Sequence, residues 1–189
     1  MRWGPFIFLL LLVLSLGGGQ TLQAKDSIEA IQKASPCESF GIQTFLNKKE
    51  APSFSLKDLN GKQVSLNDYS GRPLMVFFWA SWCPSCKEDL PLLEKFFGQQ
   101  GGGSQFNLLT IAIDGEKEKR IKSIIKDQRI TLPVLLDLKE KVARSYGVKM
   151  VPTAFLISEE RYVKGIIVGQ RDWCAPEAHM AIREVFNLR

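Results

Sequence analysis

The residues Leu74 to Trp79, "LMVFFW", form an unbroken apolar run of strand length, the pattern of a central strand covered on both faces. Before it, Phe54 and Leu56 alternate with polar neighbours, and so do Val64 and Leu66. Asn60-Gly61 lies between these runs, and both residues tolerate positive φ. The segment predicts a β-hairpin, then a turn that ends at Gly71-Arg72-Pro73. After the central strand the period lengthens: Leu90, Leu93, Phe96 and Phe97 fall on one helical face. Pro91 inside that helix predicts a kink, because it has no amide to donate and crowds the preceding turn. A glycine-rich loop over 98–105 leads to a second buried strand, "FNLLTIAID". Next come an amphipathic helix with Ile121, Ile124 and Ile125 inward, a short strand "LPVLLD", and a short helix ended by Gly147. Two strands, "PTAFLIS" and "YVKGIIVGQ", and a last helix with Pro176 in its first turn complete the chain. Strands alternating with helices predict an α/β fold: a central sheet flanked by helices.

The N-terminal end reads differently. Arg2, an apolar run from Phe6 to Leu16, glycines and Ala24 have the layout of an export signal over residues 1–24. The run is shorter than the roughly 20 apolar residues that span a bilayer. Cleavage after Ala24 and retention as an N-terminal membrane tether are the two expectations. No cysteine follows the run, which argues against a lipid anchor. Residues 25–49 read as an extension with a short helix at 26–34, and 50–189 as the folded domain. The 189 residues, 45% hydrophobic, suffice for one domain with a core. The net charge of +5 arises without basic runs, so nothing points to a nucleic-acid partner. Export to the periplasm or cell envelope would place the chain where thiols pair, which changes the meaning of Cys37, Cys83, Cys86 and Cys174.

Cys83 and Cys86 stand where the central strand gives way to a helix, in "FFWASWCPSCKEDLP". First-turn amides have no partner within a helix, and the helix dipole adds partial positive charge there. A thiolate at Cys83 is therefore stabilised and its pKa falls. The two-residue spacing brings both sulfurs to disulfide distance, so one can attack a substrate disulfide and the other can resolve the adduct. Cys83 at the helix mouth is expected to be the exposed nucleophile and Cys86, one turn in, the shielded resolver. Pro84 suits a first helical position. A zinc site needs four ligands, and one CxxC with the single distant His179 does not supply them. A permanent structural disulfide would close too small a loop to gain much stability.

With "YGVKMVPTAFLI" downstream, this stretch resembles the thioredoxin fold. The leading "APSFSLKDLNGKQVSLNDYSGRPLMVFFWASWC" narrows the resemblance to the TlpA/ResA-like thiol-disulfide oxidoreductases of bacterial envelopes, over about residues 50–187. The resemblance implies a thioredoxin-like fold with an N-terminal β-hairpin and no cofactor. Cys83 and Cys86 match its redox pair, Trp82 the tryptophan that shields it, and Pro152 its cis-proline. Val151, beside Pro152, would pair through its backbone with an extended substrate, with Trp82 and Pro84 completing the substrate-binding rim. Asp89 stands where the family usually has a glutamate near the resolving cysteine, and would relay protons to or from Cys86. Phe77 replaces the buried aspartate of thioredoxin itself. The related peroxidases carry a threonine where Cys83 stands, which disfavours a peroxidase. The partners implied are oxidised protein substrates, such as apocytochrome c, and a membrane thiol electron donor.

Cys37 and Cys174 fall outside the shared motif. In an oxidising compartment a structural disulfide between them is expected, stapling the extension to the last helix; free thiols or a second functional pair are the alternatives. Asp114 can serve as a cap or as a polar rim residue. Besides a reductase, a dithiol oxidase or isomerase remains open, as does a redox-silent peptide-binding module that uses the Val151-Pro152 edge. The thiolate pKa of Cys83 separates the last from the rest.

Overall fold

The computed structural model describes residues 35–188. The export segment and the helix expected at 26–34 lie outside them. Ser35 opens the first helix, α1 (Pro36–Phe40), with a capping box: its hydroxyl accepts the Glu38 amide while Glu38 accepts the Ser35 amide. Gly41, at φ 78°, ends α1 and turns the chain into β1 (Ile42–Glu50). The predicted hairpin follows as β2 (Ser55–Asp58) and β3 (Gln63–Ser65). Asp58 Oδ1 accepts from the Asn60 and Lys62 amides at 2.8 Å each and so holds the turn. The core elements are β4 (Leu74–Trp79), α2 (Pro84–Gln99), β5 (Asn107–Ala112), α3 (Glu118–Asp127), β6 (Val134–Leu136) and α4 (Lys141–Ser145). The chain closes with β7 (Thr153–Ile157), β8 (Tyr162–Val168) and α5 (Pro176–Phe186).

Among the described residues the strands make one eight-stranded sheet in the order β1-β8-β7-β4-β5-β6-β2-β3. β4, β5 and β6 run parallel, and the other neighbours are antiparallel. Period-two alternation divides the apolar run of β4 between two cores. Met75, Phe77 and Trp79 face one layer with Leu90, Leu93 and Phe96 of α2 and Ala181 and Ile182 of α5. Leu74, Val76 and Phe78 face the other, with Leu66, Val142 and Tyr146. The run is continuous because both faces are covered.

One feature departs from the sequence reading. Residues 36–49, read as part of an extension, supply α1 and all but the last residue of the edge strand β1, which pairs with β8 and breaks register between Thr44 and Lys49. An exposed edge strand buries little, so its Lys-rich end carries no apolar signal. The β7–β8 turn, which has no glycine, places Arg161 at φ 68°. The Arg161 guanidinium donates to Asn67 Oδ1 at 2.6 Å, and its carbonyl accepts from Ala51 at 2.8 Å, which holds that unfavourable backbone in place.

Candidate active site

β4 runs straight into the loop that carries the cysteines. Asp114, just past β5, anchors that loop: its carboxylate accepts from the Ser81 amide at 3.1 and 3.2 Å and from the Ser81 hydroxyl at 2.6 Å. Asp114 is thus a cap on the approach to Cys83. The Cys83 amide donates to Ala80 O at 3.1 Å, and Cys83 becomes the N-cap of α2, with Pro84 at the first helical position. The Cys86 amide, one of the free first-turn donors, points at Cys83 Sγ from 3.2 Å. The same amide would stabilise a thiolate there.

Cys83 and Cys86 form a disulfide, with Cα atoms 5.4 Å apart. Cys86 is fully buried, and Cys83 is only 3% exposed. This corrects the expectation of an openly exposed Cys83. The Val151 carbonyl lies 3.8 Å from its sulfur, and Ser85 Oγ lies 3.4 Å away. The residual access to the disulfide is nonetheless through Cys83. The Val151-Pro152 peptide is cis, as the resemblance implies.

The resemblance casts Trp82 as a shield over the pair. It is 58% exposed, in the turn before α2. Met150, at 59%, is a second exposed apolar side chain, two residues before Pro152. The Val151 carbonyl and the Ser85 hydroxyl are the polar groups that approach the Cys83 sulfur from outside the helix amides.

One turn behind Cys86, Asp89 is fully buried, and neither of its carboxyl oxygens has a hydrogen-bond partner. Burial pushes its pKa from 3.8 up to about 7, while the Trp173 indole, the Arg171 main chain and the Arg171 charge pull it partly back. Glu88, on the same helix, pushes it further up. Glu88 itself accepts from Gln170 Nε2 at 2.8 Å, which ties the 169–173 turn to α2.

The helix continues through Pro91 as one element. Proline leaves the Lys87 carbonyl without its intrahelical donor. Gln128 Nε2, just past α3, donates to that carbonyl at 2.8 Å. Glu94 accepts from the Thr131 and Leu132 amides at 2.8 and 3.1 Å, a second tie between α2 and the strand that follows.

Cys37 and Cys174 are not paired, which corrects the staple expected from the sequence. Cys37 is buried in α1 and its thiol points at the Ala181 carbonyl, 3.7 Å away in the middle of α5. Cys174 lies in the turn before α5, its amide held by Asp172 Oδ1 at 3.0 Å. Burial, and then Glu184, push the Cys37 thiol up to about 11, so it is a poor nucleophile. Sequence reasoning also missed Trp173 and Gln128. A tryptophan within the polar turn "QRDWCAPE" is the signal that could have drawn attention to the first.

The model of the AhpC/TSA family matches residues 48–166. The chain belongs to the AhpC/TSA family. Its relatives include the thiol-disulfide oxidoreductase ResA of Bacillus subtilis, 31% identical over 132 residues, covering 68% of this chain and 71% of that one. ResA of Bacillus thuringiensis is also 31% identical, over 124 residues, covering 65% of this chain and 70% of that one. Among solved structures, a thiol:disulfide interchange protein of the thioredoxin family from Chlorobium tepidum superposes with a TM-score of 0.63. It is 27% identical, with 75% of this chain and 99% of that one covered. Within this family, the Cys83–Cys86 pair at a helix mouth makes the chain a thiol-disulfide oxidoreductase of the thioredoxin fold. No helix among the described residues is long and apolar enough to cross a membrane.

Proposed function

We propose that the protein is an envelope reductase of protein disulfides, exported by residues 1–24 and cleaved from them or tethered by them. Apocytochrome c before haem attachment is the substrate class, and a membrane thiol protein is the electron donor. The observation that carries this reading is a disulfide whose less buried sulfur, Cys83, lies under the Val151 carbonyl, with the buried acid Asp89 one turn behind its partner.

In the reduced enzyme the Cys83 thiolate attacks a substrate disulfide, and one substrate sulfur leaves with the bonding pair. Cys86 then gives its proton to Asp89, attacks Cys83 Sγ and breaks the Cys83–substrate bond. The second substrate sulfur leaves with that pair, and the enzyme disulfide closes. Two electrons have passed from the dithiol to the substrate. An extended substrate lies along the main chain of Val151-Pro152. Trp82 and Pro84 form the apolar rim on its other side.

Replacing Cys86 with alanine removes the resolving sulfur. Reduced Cys86→Ala protein mixed with an oxidised cysteine-containing substrate should accumulate a mixed disulfide through Cys83, seen as a reducible mass adduct. If no oxidised substrate gives an adduct, the reading fails. Direction is read from the equilibrium of the pair with glutathione in a variant lacking Cys37 and Cys174. A potential nearer about −270 mV marks a reductant, and one nearer about −120 mV an oxidant.

A further inference from the structure

Asp89 is not the only unpartnered polar group behind the disulfide. Trp173 is buried in the same core, and its indole Nε1 has no acceptor. The ring is wedged by three others from three elements: Phe40 of α1, with centroids 5.3 Å apart, Phe96 of α2 at 5.7 Å, and Phe77 of β4 at 6.5 Å. This clamp sets Trp173 against Phe96, two turns along α2 from Asp89, while Gln170 of the same turn is tied to Glu88 beside Asp89, and the indole pulls the Asp89 pKa down. A buried donor without an acceptor and a buried acid without donors, in neighbouring parts of one core, are each costly alone. They satisfy each other when the acid is charged.

From this geometry we infer that Trp173 is a positioning residue for the proton transfer at Cys86: its indole N–H donates to Asp89 in the carboxylate form and so sets how readily Asp89 takes the Cys86 proton. The inference rests on Asp89 being the proton acceptor proposed above. Burial favours the protonated acid, and an acid that keeps its proton can accept none. The other groups that bear on Asp89 are the Arg171 main chain and guanidinium, which favour its charged form, and Glu88, which opposes it. Cys37 of α1 shares the core but stays protonated. The electron flow is unchanged: Cys86 loses its proton to an Asp89 oxygen, and its sulfur then displaces the substrate sulfur from Cys83.

The test uses the full chain and the rate at which a preformed Cys83 mixed disulfide with a small thiol is resolved by Cys86, followed across pH 4 to 9. In the Trp173→Phe variant the donor is lost, and the midpoint of this profile should move to higher pH by about one unit, the effect of one hydrogen bond to a charged group. 3-Benzothienylalanine at position 173 keeps the bicyclic shape without the N–H, and should give the same shift if Trp173→Phe disturbs packing. In an Asp89→Asn background neither replacement should move the midpoint further. An unmoved midpoint in both Trp173 variants, with Asp89→Asn still altering the profile, overturns the role of Trp173 alone. A profile unchanged by Asp89→Asn overturns the proton-acceptor reading beneath it.

Discussion

Replacing Asp89 with asparagine should change how the stability of the oxidised protein depends on pH, and in a direction opposite to that of most carboxylates. Ordinary surface acids are stabilised as anions in the folded state, so their contribution is lost in acid. Asp89 is buried without partners, and its folded pKa of about 7 stands above the unfolded value of 3.8. Between those values the native chain holds a proton that the unfolded chain has released. Stability therefore falls as pH rises through that window. The rise from 3.8 to about 7, at about 1.4 kcal/mol per pH unit, amounts to about 4 kcal/mol. The asparagine amide does not titrate, so the Asp89→Asn variant lacks this loss. Urea unfolding of both proteins with the disulfide intact, at intervals from pH 4 to 8, isolates the effect because every other acid is shared. The variant should gain on the wild type steadily above pH 4, with the midpoints separating by on the order of 2 M for a slope of about 2 kcal/mol/M. Curves that run parallel from pH 4 to 8 would show that Asp89 is solvated or paired in solution, and the argument for it as a buried proton acceptor would fall.

Other outcomes follow from the same packing. A Cβ on Gly165 would sit 2.7 Å from Ile42 Cγ2, so Gly165→Ala should push β1 off the sheet edge at a cost of about 1–3 kcal/mol. Amide exchange at residues 42–44 should speed up while disulfide exchange at Cys83 stays unchanged; unaltered exchange would contradict the close approach of β1 to β8. Two thiols should titrate in the unfolded oxidised protein, and only Cys174 should react promptly in the native one, because Cys37 is buried with its thiol pushed up to about 11. A native protein with no titratable thiol would restore the pairing that the structure lacks.

Local chemistry made much of this molecule legible in its sequence. The run from Leu74 to Trp79 declared a strand covered on both faces, because only such a strand can bury every side chain. Asn60-Gly61 declared the hairpin, because few dipeptides accept that turn. The CxxC at a strand-to-helix junction declared the redox pair, because spacing and helix polarity act within one turn. Each signal depends on residues adjacent in the chain. The exposure of Cys83 and Trp82 escapes such signals for the opposite reason. What approaches the Cys83 sulfur comes from Val151, far along the sequence, and the exposure of Trp82 depends on what packs beside it rather than on its neighbours in the chain.

The sequence by itself determined the strand and helix periods, the hairpin and the position of the sulfur pair, since these follow from side-chain alternation and from backbone preferences of a few neighbouring residues. Only the tertiary structure decided that β1 joins the sheet edge, that Cys37 faces Ala181 rather than Cys174, that Phe40, Phe77 and Phe96 close around Trp173, and that Asp89 is buried. Those outcomes depend on which distant elements share a core. Burial, which sets the charge state of Asp89, is a property of that shared packing and of no single stretch of chain.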